Sequence, residues 1–211
     1  MKLSRKKIYL IRHGQTEFNR LGIVQGSGID TSLNDHGRRQ ARAFFERYRD
    51  VPFDRIYTSA LKRTVETVED FLRDGIAHEQ LAGLNEINWG RKEGQRITPD
   101  SDVYYRYLVD EWSKGNTGLA IEGGESPDDV RTRIGASLDH IMSRSDERNV
   151  LICMHGRAMR IMLCHMMERP LRFMDEYKHT NVGLYLANHN GEGFVLELEN
   201  DVRHLVWEER Q

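Results

Sequence analysis

Arg12-His13-Gly14 directly follows the apolar run Ile8-Tyr9-Leu10-Ile11. Such a run reads as a buried β-strand. Residues at the carboxyl end of a strand stand where open α/β sheets bind ligands. Each of the three types has a use there with an anion. A neutral imidazole nitrogen can be a nucleophile toward phosphorus. A guanidinium presents a fork of donors that matches phosphate. Glycine lets a backbone N–H come close to an anion. A second pair, His155-Gly156, ends the run Val150 to Met154 where a helix is expected to begin, and the Gly156 N–H there suits an anion. Phosphoryl transfer asks for these parts: a nucleophile, positive charge against three oxygens, and a proton for the leaving group.

The elements that must hold these residues alternate between strand and helix. Strands are expected at 7–12, 55–58, 77–82 and 150–154, and helices at 35–49, 60–73, 126–145 and 157–167. Asn34 is a suitable N-cap for the first helix, and Pro127 falls in the first turn of the third. Runs 183–187 and 194–198 flank a glycine- and asparagine-rich loop, which signals a hairpin. Arg203 to Trp207 is expected to add a strand or to lie on the surface. Residues 90–122 carry no clear pattern, only Tyr104, Tyr105, Tyr107 and Trp112 among charges and then several glycines. The alternation predicts a three-layer αβα fold with a mostly parallel central sheet and helices on both faces. A single domain over 1–211 is expected, with a small lid insertion at about 90–122.

Composition narrows the partners. The chain has 211 residues, 38% hydrophobic and 30% charged, with a net charge of -2. That balance suits a globular protein and gives no reason to expect nucleic-acid binding. No apolar stretch reaches the ~20 residues of a membrane span, and the basic start at Met1 to Lys7 does not read as a signal peptide. Cys153 and Cys164 are expected as buried thiols in a reducing cytoplasm. His36, His78, His140, His165, His179, His189 and His204 are scattered without ligand spacing, so no metal is expected. Nothing in the sequence specifies an oligomeric state.

Arg12-His13-Gly14 with Thr16 and Asn19 resembles the signature of the histidine phosphatase (phosphoglycerate mutase-like) superfamily. Four further blocks follow in the family's order: Thr58-Ser59-Ala60-Leu61-Lys62-Arg63, Leu84-Asn85-Glu86, Gly123-Gly124-Glu125-Ser126, and His155-Gly156. The resemblance implies that His13 is the nucleophile and that Arg12, Arg63 and His155 hold the phosphoryl oxygens. It implies that Glu86 is the proton donor, that Asn19 donates to phosphate, and that Gln25 lines the pocket rim. It makes 90–122 the variable cover of the site, with Tyr104, Tyr105 and Trp112 as first candidates for substrate contact. Thr16 and Glu17 are expected to order the turn after His13. The substrate implied is a small phosphorylated metabolite, with no cofactor.

Departures from the family pattern select a branch. Cofactor-dependent mutases carry Arg and His after the acidic residue, whereas Ile87 and Asn88 stand here. The mutase insertion is longer and has adjacent arginines, which 90–122 lacks. A phosphomonoesterase of the histidine acid phosphatase type is therefore expected, with the mutase as the alternative. A non-catalytic phosphate-binding module is a second alternative, but such a module is expected to lose part of the set Arg12, His13, Arg63, Glu86 and His155. All five are present.

Overall fold

The computed structural model describes residues 5–98 and 102–205. Its sheet has six strands in the order β3-β2-β4-β1-β5-β6. β1 (Lys6–Arg12), β2 (Arg55–Thr58), β3 (His78–Gln80) and β4 (Asn149–Met154) are parallel. β5 (Leu184–His189) pairs antiparallel with β1, and β6 (Phe194–Asp201) antiparallel with β5. The expected αβα architecture is therefore present.

Side-chain alternation splits the central strands between two cores. Ile8 and Leu10 of β1 pack with Val150 and Ile152 of β4 beneath α5 (Pro127–Ser143) and α6 (Gly156–Met166). Tyr9 and Ile11 pack with Leu151 and Cys153 against Phe44 and Phe45 of α2 (Asp35–Tyr48) and Val68 and Phe71 of α3 (Lys62–Arg73). Because both sheet faces are covered, these strands read as unbroken apolar runs. The expected cap is in place, with Asn34 Oδ1 accepting from Gly37 N at 2.9 Å. Pro127 opens α5 as expected, and Ser126, expected inside that helix, is its cap, forming a capping box with Asp129.

Two helices differ from the expectation. The stretch 90–122 holds α4 (Asp102–Lys114). Its Leu108 and Trp112, one turn apart, are each only 1% exposed and join the core on the α5–α6 side. The short α1 (Glu17–Leu21) is capped by Thr16, whose side chain accepts from Asn19 N at 3.1 Å while Asn19 Oδ1 accepts from Thr16 N at 3.2 Å. Glu17 pairs with Arg20, so Thr16 and Glu17 do order this turn. The final segment is a 3-10 turn over Arg203–Leu205 rather than a strand, and it buries His204 between the rings of Phe44 and Tyr48. Trp207 lies outside the described residues.

Where the chain leaves β1, Gly14 lies against the first turn of α2. A Cβ on Gly14 would stand 2.6 Å from the Gly37 carbonyl oxygen. The Gly14 N–H donates to Thr67 Oγ1 at 3.0 Å, so it is not offered to an anion, contrary to the expectation. Close backbone packing requires the glycine. Gly14→Ala should lower stability by about 1–3 kcal/mol, as overpacking does. Urea unfolding of the variant beside the wild type measures this, and an unchanged midpoint would contradict it.

Candidate active site

Three strand ends meet at the carboxyl edge of the sheet. The β1–β4 register sets Arg12 opposite Met154, so the next residues, His13 and His155, are neighbours. Their ring centroids are 5.2 Å apart. β2 lies on the far side of β4, where Ser59 N donates to Cys153 O at 3.3 Å before the chain turns into α3.

His13 is 3% exposed. Its Nδ1 meets the Gly14 carbonyl oxygen at 2.7 Å. Only an N–H can make that bond, so the proton sits on Nδ1 and Nε2 keeps its lone pair. Asn181 Nδ2 donates to the His13 carbonyl at 2.8 Å and steadies the backbone. Burial, then the charges of Arg63 and Arg12, hold the imidazole well below the usual histidine pKa. The ring is neutral at physiological pH.

Arg12 Nη1 donates to His179 twice, to Nδ1 at 3.1 Å and to the carbonyl oxygen at 2.9 Å. Its Nε is buried with no partner. Burial lowers Arg12 to about 10, so the guanidinium stays charged. Arg63, with 0% exposure, is lowered to about 10 by burial as well. It donates through Nη1 to Ile29 O at 2.7 Å, through Nη2 to Gly26 O at 3.2 Å and through Nε to His155 Nδ1 at 3.1 Å. Gln25 has its amide assigned so that both atoms find partners. Oε1 then accepts from Arg63 Nη1 at 3.1 Å, and Nε2 donates to Thr16 and Thr31.

His155 accepts at Nδ1, so its proton is on Nε2, 2.7 Å from Ser59 Oγ. Ser59 Oγ continues to Thr64 Oγ1 at 3.0 Å, and Thr64 donates to Leu61 O at 2.7 Å. Both ring nitrogens of His155 are thus engaged within the protein. A hydrogen bond from this ring to a phosphate oxygen would replace the one to Ser59.

Glu86 occupies the N-terminus of α6. Oε1 accepts from Ile87 N and Ala158 N, both at 2.9 Å, and Oε2 accepts from Arg157 N at 3.1 Å. Arg133 of α5 fixes the segment from behind, donating to the carbonyls of Gly83, Asn85 and Glu86 at 2.7–3.0 Å and pairing with Glu125 at 2.8 Å. The Gly123-Gly124-Glu125-Ser126 block is therefore a clamp on the Glu86 loop and a cap for α5.

A cavity of about 250 Å³ opens over this edge. Of the residues singled out in the sequence, Arg12, Asn19, Gln25, Glu86 and Gly156 line it, and His13, Arg63 and His155 are buried beside them. Asn19 Oδ1 is taken by Thr16 and Asn181. Gly156, the first residue of α6, leaves room for the His179 ring, whose Nδ1 would lie 3.2 Å from a Cβ. Tyr105 lines the cavity, but Tyr104 and Trp112 do not. Tyr104 stacks on Tyr107 at the surface, and Trp112 is core. His179, Asn181 and Arg133 carry no local sequence signal, since each acts on residues far away in the chain, and Ser59 lies in the block that ends at Arg63 with no role implied for it. Among the described residues no group of three His, Cys, Asp or Glu side chains could hold a metal ion, and no helix is long and apolar enough to cross a membrane.

A family model described as the histidine phosphatase superfamily (branch 1) matches residues 8–202. A relative from Erwinia tasmaniensis, named a probable phosphoglycerate mutase GpmB, is 27% identical over 94% of each chain. The solved structure of YhfR from Bacillus stearothermophilus is 27% identical with a TM-score of 0.83, covering 95% of this chain and 99% of that one. The fold is shared with a phosphoserine phosphatase from Entamoeba histolytica solved with 3-phosphoglyceric acid, at 24% identity and a TM-score of 0.82, covering 95% of this chain and 99% of that one.

Site histidines held below the usual value make stability depend on pH. His13 and His155 are held well below the usual value, and His179 is down at about 3. Burial is the main cause in each, followed by Arg63 for the first two and Arg12 for His179. Unfolded histidines titrate near about 6.5. As pH falls through that value the unfolded chain takes up protons that the folded chain does not, so stability falls. Each group contributes up to about 1.4 kcal/mol per pH unit. Melting temperatures without phosphate should drop from about pH 7.5 to about pH 5, and added inorganic phosphate should recover part of the loss. A melting temperature that stays level or rises over this range would contradict neutral histidines.

Proposed function

Since the chain belongs to branch 1 of the histidine phosphatase superfamily, we propose that it hydrolyses small phosphomonoesters through a phosphohistidine formed at His13. The observation that carries this reading is the His13 tautomer. With Nδ1 donating to Gly14 O, the lone pair of Nε2 remains for phosphorus beside a pocket lined by Arg12, with Arg63 buried behind it.

Nε2 attacks phosphorus, the P–N bond forms, and the P–O bond to the leaving group breaks. Glu86 gives its proton to the departing oxygen. Water then attacks the phosphohistidine and loses a proton to Glu86. The P–N bond breaks, and inorganic phosphate and neutral His13 remain. Arg12 supplies its unpaired buried Nε to a phosphoryl oxygen by a charge-assisted bond. Arg63 acts from behind, through its charge and its hold on His155. Asn19 and the Gly156 N–H complete the cradle, and Gln25 keeps Arg63 in line. No metal or other cofactor enters these steps. Buried thiols at Cys153 and Cys164 suit a reducing compartment, the cytoplasm.

Mutase activity is the second reading, favoured by the name of the relatives at 27–28% identity. Hydrolysis is preferred because Ile87 lies in the core and Asn88 bonds the Gly90 N–H at 2.7 Å. Neither lines the cavity as a substrate-binding Arg or His would. A mutase must also keep water from the phosphohistidine, and the cover holds a single described helix, α4.

Phosphate release and a coupled enolase assay on one preparation, with EDTA present, separate the readings. Phosphate should be released from several small monoesters, with slow interconversion of 3- and 2-phosphoglycerate. Mutase turnover that far exceeds phosphate release would reverse the choice. Glu86→Gln should cost ~10²–10⁴-fold on poor leaving groups and much less on p-nitrophenyl phosphate. Equal losses on both would make Glu86 structural.

A further inference from the structure

We propose that Arg160, Arg157 and Tyr105 form a second anion subsite, so that the substrate is a phosphomonoester bearing a carboxylate or a second phosphoryl group. The proposal rests on the reading of Arg12 and His13 as the phosphoryl end.

Arg157 and Arg160 stand one turn apart on α6 and line the same cavity as Arg12 and Glu86. Both donate to a single oxygen, Asp175 Oδ1, at 2.7 and 2.6 Å. Two cations share one carboxylate, so the wall keeps one unit of positive charge. A purely structural pair could be balanced one to one, as Arg133 is with Glu125. Excess charge in a partly desolvated wall is costly without an anion.

The wall is also preorganised. Arg157 is 6% exposed, donates through Nη2 to Tyr105 Oη at 2.8 Å, and lies over the Trp112 ring at 5.3 Å. Tyr105 accepts in that bond, so its own O–H proton is left for another acceptor. Arg160 commits Nε to Tyr177 O at 2.7 Å and Nη1 to Asp175, and Nη2 has no protein partner among the described residues. One O–H and one guanidinium N–H are thus available on a cavity-lining surface. Burial and Arg157 depress Arg160, and the charge of Arg160 in turn depresses Arg12 and His179. The subsite and Arg12 share one cavity wall. Arg12, Arg157 and Arg160 line one cavity, so a single ligand can meet both ends.

Binding is read by calorimetry on His13→Ala, so that turnover plays no part. The probes are inorganic phosphate, glycerol 3-phosphate, 3-phosphoglycerate and 1,3-propanediol bisphosphate. At least one of the two esters with a second anionic group should bind about tenfold or more tighter than glycerol 3-phosphate, a difference of about 1.4 kcal/mol. The tighter of the two identifies the second group. Adding Arg160→Gln should cut that ratio several-fold, Arg160→Lys should retain most of it, and Tyr105→Phe should lower it by a smaller factor. If phosphate binds but the ratio is near one, or is unmoved by both Arg160→Gln and Tyr105→Phe, the subsite is overturned and the phosphoryl site stands. If phosphate itself does not bind, the phosphoryl reading fails and the subsite with it.

Discussion

The parallel pairing of β1 with β4 is the constraint on which the site depends. It sets Arg12 opposite Met154, and the two chains therefore deliver His13 and His155 side by side as they leave the sheet. A one-residue slip would turn these side chains to the opposite faces. The register is held by burial on both faces, with Ile8 and Leu10 in one core and Tyr9 and Ile11 in the other. Everything else is attached to this pair. α3 brings Arg63 to His155, and the loop after β3 brings Glu86 to the first turn of α6.

Charge governs how the pocket is tuned. Two buried guanidinium groups share the field of Glu86, and the neighbouring histidines respond by staying neutral. A neutral His13 with its proton fixed on Nδ1 is the form that can attack phosphorus. The same field that suppresses histidine charging attracts a phosphoryl dianion. Arg12 Nε, buried and unpartnered, marks where that compensation is missing from the protein itself.

The central strands and the capped helices were legible because their signals are local. Unbroken apolar runs mark β1 and β4, and Asn34 and Pro127 mark helix starts. The residues at strand ends were legible for the same reason. α4 was not, because its apolar contacts at Leu108 and Trp112 are few and stand among tyrosines and charges. His179 gave no local sign, since it meets Arg12 across 167 positions of chain. Gly14 was noticed but for a reason the structure replaces: it is glycine to admit Gly37, and its N–H belongs to Thr67.

The most direct test of the account is the chemical identity of the trapped intermediate. Wild-type protein quenched in alkali during turnover and examined by phosphorus NMR and peptide mass spectrometry should carry its phosphoryl group on His13, as the Nε2 isomer. The Gly14 carbonyl holds the proton on Nδ1 and so dictates that isomer. A phosphoryl group on Nδ1 of His13, or on His155 or Ser59 instead, would contradict the account.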